Sequence, residues 1–275
     1  MSNSSRLSNR LTVVTTTHLL PSAPSTYILE RTVRSLRGRL GVAECEHLIY
    51  YDAPKGGGER HLKYVRNLER LCEKYGLQLL MREAVGLKGN YLHAVDTVTT
   101  PYLLFVEHDW HFCRSIDVVA LLDVFDKYEF VNIVRLNKRG NDWHVGWDHI
   151  VEPEDRIAEV QLTRTSSWSN NPHIVRLAKW RHDWRAIVGE DPGHGADGIE
   201  DKLYWAYGKD IFTEGFRPAH EKWGSFLWGP INQRPVIRHT NGRGAASRLV
   251  EPFAKVARST RRALRRVTDR LPDRG

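Results

Sequence analysis

Two carboxylates one residue apart, Glu107 and Asp109, close the run YLLFVE (102–107), whose unbroken apolar character predicts a buried central strand. An acidic-x-acidic turn offers hard oxygen ligands to a divalent cation, and a bound diphosphate can fill the remaining positions. The same pattern also serves as a solvated strand end with incidental acids. His108, Asp109 and His111 form a second ligand set, of the kind a metal-dependent hydrolase uses, although H-E-x-x-H is absent. Two other nucleotide chemistries are excluded by spacing. No G-x-G-x-x-G follows the first strand, and GGGERHLK does not match the G-x-x-x-x-G-K-[ST] phosphate loop.

The elements that must position these groups alternate between strand and helix in the first half of the chain. LTVVTTT (11–17) reads as a strand, a helix follows over about 26–38, and HLIYYD (47–52) is the second strand. After a turn at Gly56, Gly57 and Gly58, Leu62, Val65, Leu68, Leu71 and Cys72 recur at helical spacing over 60–75. The strand LQLLMRE (77–83) and a helix over 88–98 lead to Pro101 and the strand 102–107. Alternation of this kind predicts an α/β fold with a mostly parallel sheet and helices on both faces. In such sheets ligands bind at the carboxyl ends of the strands, which is where Glu107 and Asp109 fall. From residue 140 onward the chain holds eight of its nine tryptophans and a weaker periodicity, and is expected to build one side of a cleft.

At 275 residues with 41% hydrophobic content, a single domain over 1–250 with a tail over 251–275 is the expected organisation. Three scattered cysteines, Cys45, Cys72 and Cys113, imply neither a disulfide framework nor a cysteine zinc site, and fit a reducing, cytoplasmic setting. No run reaches the ~18 apolar residues of a membrane span, and the polar start is unlike a signal peptide, so a soluble or peripheral protein is expected. The net charge of +8 is uneven. Residues 255–275 alone carry eight basic side chains against Asp269 and Asp273, which argues against nucleic acid binding by the body of the protein. On a helix from about 252 to 271 most of those arginines avoid the stripe of Val256, Thr260, Ala263, Leu264, Val267 and Leu271. That layout fits an anionic membrane surface, possible also for a non-enzymatic basic peripheral protein.

The segment GLKGNYLHAVDTVTTPYLLFVEHDW (86–110) resembles the part of family 2 glycosyltransferases in which a helix leads to a hydrophobic strand ending in D-x-D. The resemblance implies a GT-A fold, the Rossmann-like nucleotide-diphospho-sugar transferase architecture. It puts Glu107 at the first acid, in contact with sugar or ribose, and Asp109 at the second, the more usual ligand of Mn²⁺ or Mg²⁺. The opening strand–helix–strand unit matches in order, which assigns the donor pocket to Thr15, Thr16, Thr17 and Asp52. GIEDKLYWAYGKD (198–210) is similar to the family's E-D helix, making Asp201 the catalytic base and Glu200 its orienting neighbour. VIRHTNGRGAA (236–246) is similar to the C-terminal histidine segment, with His239 as metal ligand, Arg243 on the diphosphate and His220 as the fallback ligand. Such enzymes place the acceptor site between these segments, here the Trp-rich 166–184, which brings in Trp168, Asn170 and Asn171 beside Trp110. Aromatic faces can stack on sugar rings there, and amides can bond hydroxyls. The implied reaction moves a sugar from a UDP- or GDP-sugar to a glycan, lipid-linked or protein hydroxyl, inverting if Asp201 is the base.

Overall fold

The computed structural model describes residues 5–145, 150–189 and 198–240. Residues 1–239 form one compact unit and 240–275 a second, of which only Thr240 is described. Arg243 and the basic tail therefore lie outside the described residues.

After a short helix α1 (Ser5–Ser8), the first half follows the expected alternation: β1 (Leu11–His18), α2 (Tyr27–Leu40), β2 (His47–Ala53), α3 (Glu59–Tyr75), β3 (Gln78–Glu83), α4 (Gly86–Thr97) and β4 (Tyr102–Glu107). Helix α3 shows why the pattern works. Tyr64, Leu68, Leu71 and Cys72 form its buried face, and Gly76 ends it in the left-handed conformation, its N–H bonded to the carbonyls of Cys72 and Glu73. Leu62, expected on that face, is 55% exposed, and Tyr64 takes the inward position instead. Truncating a fully buried leucine such as Leu68 would cost ~2–5 kcal/mol.

The second half is built from shorter pieces. These are β5 (Trp110–Phe112), α5 (Val118–Lys127), β6 (Ile133–Arg135), β7 (His144–Val145), β8 (Ile150–Pro153), β9 (Leu162–Thr165) and β10 (His173–Arg176). Asp117 starts α5 by accepting the Ala120 N–H at 3.0 Å, the usual service of a helix cap. Next, α6 (Leu177–Lys179) runs through a π-helical turn at Trp180–Trp184 into α7 (Arg185–Val188). The last described elements are α8 (Glu200–Glu214), α9 (Phe216–Trp223), β11 (Ser225–Trp228) and β12 (Ile237–His239). Helix α8 passes through Gly208 and stops at Gly215.

Ten strands form one sheet in the order β3-β2-β1-β4-β10-β6-β11-β9-β8-β7, and β12 pairs separately with β5. Strands β3, β2, β1 and β4 are parallel. Beyond them β10, β9 and β7 run against the common direction. Helices cover both faces. Leu36 and Leu40 of α2 pack with α5 against Val13, Leu104 and Val106, while Tyr91 and Val95 of α4 pack with Leu203 and Tyr207 of α8 against Val14, Leu103 and Phe105. Strand β4 is buried on both sides, which is what its continuous apolar run requires.

One tight junction fixes β6 beside β11. Gly224 has a φ of +59°, and a Cβ there would lie 2.0 Å from the carbonyl oxygen of Phe130. Its own carbonyl accepts the N–H groups of Asn132 and Ile133, both at 3.0 Å, so the glycine permits the approach that starts the parallel pairing.

Candidate functional site

The carboxyl ends of β1, β2 and β4 lie side by side because Thr16 pairs with Glu107 and His18 with Asp52. They open on a cleft of about 320 Å³, lined among others by Thr16, Thr17, Asp52, Asn90, Glu107 and His108. Thr15 is absent from the lining. Its side chain is fully buried and shares a 2.9 Å hydrogen bond with His47 Nε2 on β2, further from the strand end than Thr16 and Thr17. The structure thus brings Thr16, Thr17, Asp52 and Glu107 together in one cleft, and Thr15 does not line it. Asp52 has a structural task as well: its Oδ1 accepts the N–H groups of Val85 and Gly86, at 2.9 and 3.1 Å, where α4 begins.

Burial pushes Glu107 up to about 7, with the charge of Asp109 adding to the effect and that of Glu200 contributing less. Burial likewise presses His108 down to about 4, and its backbone carbonyl accepts a 2.5 Å hydrogen bond from Thr32 Oγ1. Asp109 lies 3.0 Å from His239 Nε2, because β12 pairs with β5 with His239 opposite Trp110. Burial is the largest influence and acts to raise Asp109, but the His239 hydrogen bond together with the charges of His108 and His239 outweighs it and holds the carboxyl below its usual range. Asp109 and His239, separated by 130 residues of sequence, are thus brought together as expected. His220 is not. It is fully buried, and its Nε2 faces the Ser225 carbonyl oxygen at 2.9 Å, so the fallback ligand belongs to the α9–β11 junction.

The oxygen and nitrogen donor pair suits Mn²⁺ or Mg²⁺ only if a diphosphate and water supply the other ligands. Among the described residues no group of three or more His, Cys, Asp and Glu is placed to hold a metal. The hydrolase cluster of His108, Asp109 and His111 also separates: His108 lines the donor cleft, whereas His111 lines a different groove, with Arg31 and Arg39.

A second cleft of about 570 Å³ opens at the carboxyl end of β6, with Arg135, Lys138, Ser169, Asn171 and Glu200 in its wall. Glu200 Oε2 accepts the Asn170 N–H at 3.2 Å. Asp201, expected as the base, is exposed and lines neither cleft, whereas Glu200, expected as its neighbour, lines the second. Two acceptor assignments are also corrected. Trp110 and Trp168 are only 3% and 1% exposed, with Trp110 packed edge-on against His239 and Trp168 against His173; Trp168 borders the second cleft, but neither ring offers an open face for a sugar to stack on. Asn171 lines the second cleft, whereas Asn170 is buried.

Sequence reasoning missed two groups. Asn90 is 1% exposed, lines the first cleft, and has no hydrogen-bond partner for either amide atom among the described residues. An unpaired buried amide costs ~1–3 kcal/mol, which marks Asn90 as a group with hydrogen-bonding capacity to spare at the cleft. Arg135 is the other. A charged residue ending the apolar run VNIVR was the available signal.

No protein-family model matches the chain, and no curated protein matches it in sequence. Solved structures do resemble it. The mannosyltransferase PcManGT from Pyrobaculum calidifontis, in complex with GDP-Man and Mn²⁺, is 14% identical with a TM-score of 0.51 over 92% of this chain and 65% of that one. TarS from S. aureus is 13% identical with a TM-score of 0.52 over 84% of this chain. A cytidylyltransferase from Leptospira borgpetersenii is 12% identical with a TM-score of 0.45, over 82% of this chain and 77% of that one. The chain spans 36% of the TarS chain and 65% of PcManGT, both under two thirds. At these identities the likeness to PcManGT and TarS establishes the fold, a GT-A-type α/β architecture.

Proposed function

We propose that the protein transfers a sugar from a nucleoside diphosphate, UDP or GDP, to an acceptor hydroxyl, with inversion at the anomeric carbon. The observation that carries this reading is the placement of two clefts at strand ends of one sheet, with Glu107 of one within electrostatic reach of Glu200 of the other. Thr16, Asp52, Asn90 and Glu107 line one, Glu200 lines the other, and Asp109 with His239 stands beside Glu107 at the same sheet edge. The likeness to PcManGT, seen with GDP-Man and Mn²⁺, supports both a nucleotide sugar and a metal.

In this reading the Asn90 amide supplies the donor and acceptor that a nucleoside or sugar hydroxyl needs, and Asp52 stands ready for a ribose hydroxyl. Asp109 and His239 would hold Mn²⁺ or Mg²⁺, which neutralises charge on a departing diphosphate. Glu200 takes the proton of the incoming acceptor hydroxyl, a weak nucleophile until it is deprotonated. Asn171 bonds acceptor hydroxyls. A glycan, lipid-linked or protein acceptor suits the open second cleft, and the basic tail over 251–275 would favour an anionic membrane surface on the cytoplasmic side. Calorimetric titration with UDP and GDP, with Mn²⁺ and then with chelator, tests the donor half. Mass spectrometry of products from a panel of sugar nucleotides tests transfer. Failure of both nucleotides to bind in the presence of Mn²⁺ or Mg²⁺ would refute the assignment.

A further inference from the structure

Among the described residues Arg135 and Arg164 are two arginines buried in the sheet, each 4% exposed, and they are treated very differently. Arg164 is neutralised by Glu154 at 2.8 Å and Glu152 at 3.3 Å. Arg135 bonds only hydroxyls among the described residues: Ser169 Oγ at 2.9 Å, Ser167 Oγ at 2.8 Å and Thr165 Oγ1 at 3.3 Å, and its Nε has no partner. A guanidinium without a bonded carboxylate is expensive to bury. Burial accordingly lowers Arg135 to about 10, and the field of Glu200 offsets this only in part.

The charge is not wasted inward, because Arg135, Ser167 and Ser169 all line the second cleft. A serine that accepts from a guanidinium keeps its own O–H to donate. Ser169 therefore presents a donor to the cleft with a positive charge directly behind it, and Ser167, which shares a 3.2 Å hydrogen bond with Thr165 Oγ1, presents a second when Thr165 is the donor of that pair. Lys138 and Arg139 stand exposed at the same cleft. Neutral sugar hydroxyls need no such field, whereas a phosphate or carboxylate does.

Resting on the transferase reading above, we infer that the acceptor carries an anionic group, a phosphate or a carboxylate, which docks on Ser167 and Ser169 over Arg135. The group belongs to the acceptor rather than the donor because Arg135 lines the cleft of Glu200 and Asn171, and not the one formed by Thr16, Asp52 and Asn90.

The test titrates the full-length protein, followed by calorimetry or saturation-transfer NMR, with glucose, glucose 6-phosphate and glucuronate, and separately with GDP and UDP plus Mn²⁺. The wild type should hold glucose 6-phosphate or glucuronate at least about tenfold tighter than glucose, the scale of one charge-assisted contact. Arg135→Gln should erase that preference and leave nucleotide affinity unchanged. Should this variant fail to fold by circular dichroism, Ser169→Ala carries the same expectation. Equal binding of charged and neutral sugars by the wild type overturns the inference. So does a variant that loses nucleotide binding while keeping the preference, which would give Arg135 to the donor diphosphate. If the anionic sugars bind through Arg135 but neither nucleotide binds, the anion site stands and the transferase reading falls.

Discussion

Acidification from about pH 7.5 to about pH 5 should destabilise the domain through buried histidines that the fold keeps neutral, three of which, unlike His108, lie away from the Asp109–His239 pair. Burial, with the charge of Arg37 adding to it, holds His47 down at about 3. Burial also sets His173 and His220 at about 4. Each has committed neighbours: His47 with Thr15, His173 with Tyr91 and the Asn171 carbonyl, and His220 with the Ser225 carbonyl. The unfolded chain binds protons at these sites below about 6.5, while the native chain does not until about 4, so stability falls as pH drops through that window. At about pH 5 the difference is ~2 kcal/mol per histidine, and ~6 kcal/mol for the three, against a typical total of ~5–15 kcal/mol. For a domain of this size each kcal/mol moves the Tm by ~2–4 °C, so a fall of roughly 10–20 °C is expected. Glu154, held at about 2 despite burial by its bonds to Arg156 and Arg164, has the opposite window. Its contribution is intact at about pH 5 and is lost only below the unfolded carboxylate value of ~4.3. Circular dichroism melts across this range provide the assay, and His220→Gln should flatten the slope by about a third, its share of the three-site sum. A Tm constant to within about 3 °C, less than one histidine's share, would refute the buried-neutral account.

Glu200→Gln should lower kcat by ~10²–10⁴ with nucleotide affinity retained, while Asp201→Asn stays close to wild type, as steady-state kinetics and titration would show. Asp109→Ala should abolish metal-dependent turnover. Asn90→Ala should weaken nucleotide-sugar binding by ~1–3 kcal/mol without lowering the Tm, since the amide leaves no protein partner behind. Gly224→Ala should cost ~3 kcal/mol or more in denaturant melts, because the methyl would displace the Phe130 carbonyl and break the start of the β6–β11 pairing.

The parallel half of the fold was legible because each segment there states its own period: unbroken apolar in β4, three-and-four spacing in α3, and glycines where helices stop. The mixed half was not, since strands of three or four residues such as β6, β9 and β11 carry too few positions to show alternation. Their pairing is decided by contacts distant in sequence, such as Gly224 against Phe130, which no local pattern announces. The tryptophans misled for a related reason. A large aromatic in a polar stretch looks like a ligand platform, yet Trp168 packs with Trp180, Trp184 and Trp223 into the core under α8.

The different placements of Glu200, in the wall of the second cleft, and Asp201, exposed outside it, follow from helix geometry, and the sequence contained the sign of it. Consecutive residues of a helix point about 100° apart, so the burial pattern of the helix decides which of two adjacent acids turns further inward. Leu203 and Tyr207 are the buried residues of α8, three and seven positions after Glu200, which sets Glu200 on the inward stripe. Asp201 instead shares its side with Trp205, four positions on and 69% exposed. A resemblance aligned by motif favours the aspartate, whereas the helix's own apolar period favours the glutamate. That period is set by burial against β4, which ends at Glu107, and β10, whose other neighbour β6 ends at Arg135. The packing that stabilises α8 is therefore also what turns a carboxylate toward the cleft, and moving the apolar stripe by one residue would exchange the two acids.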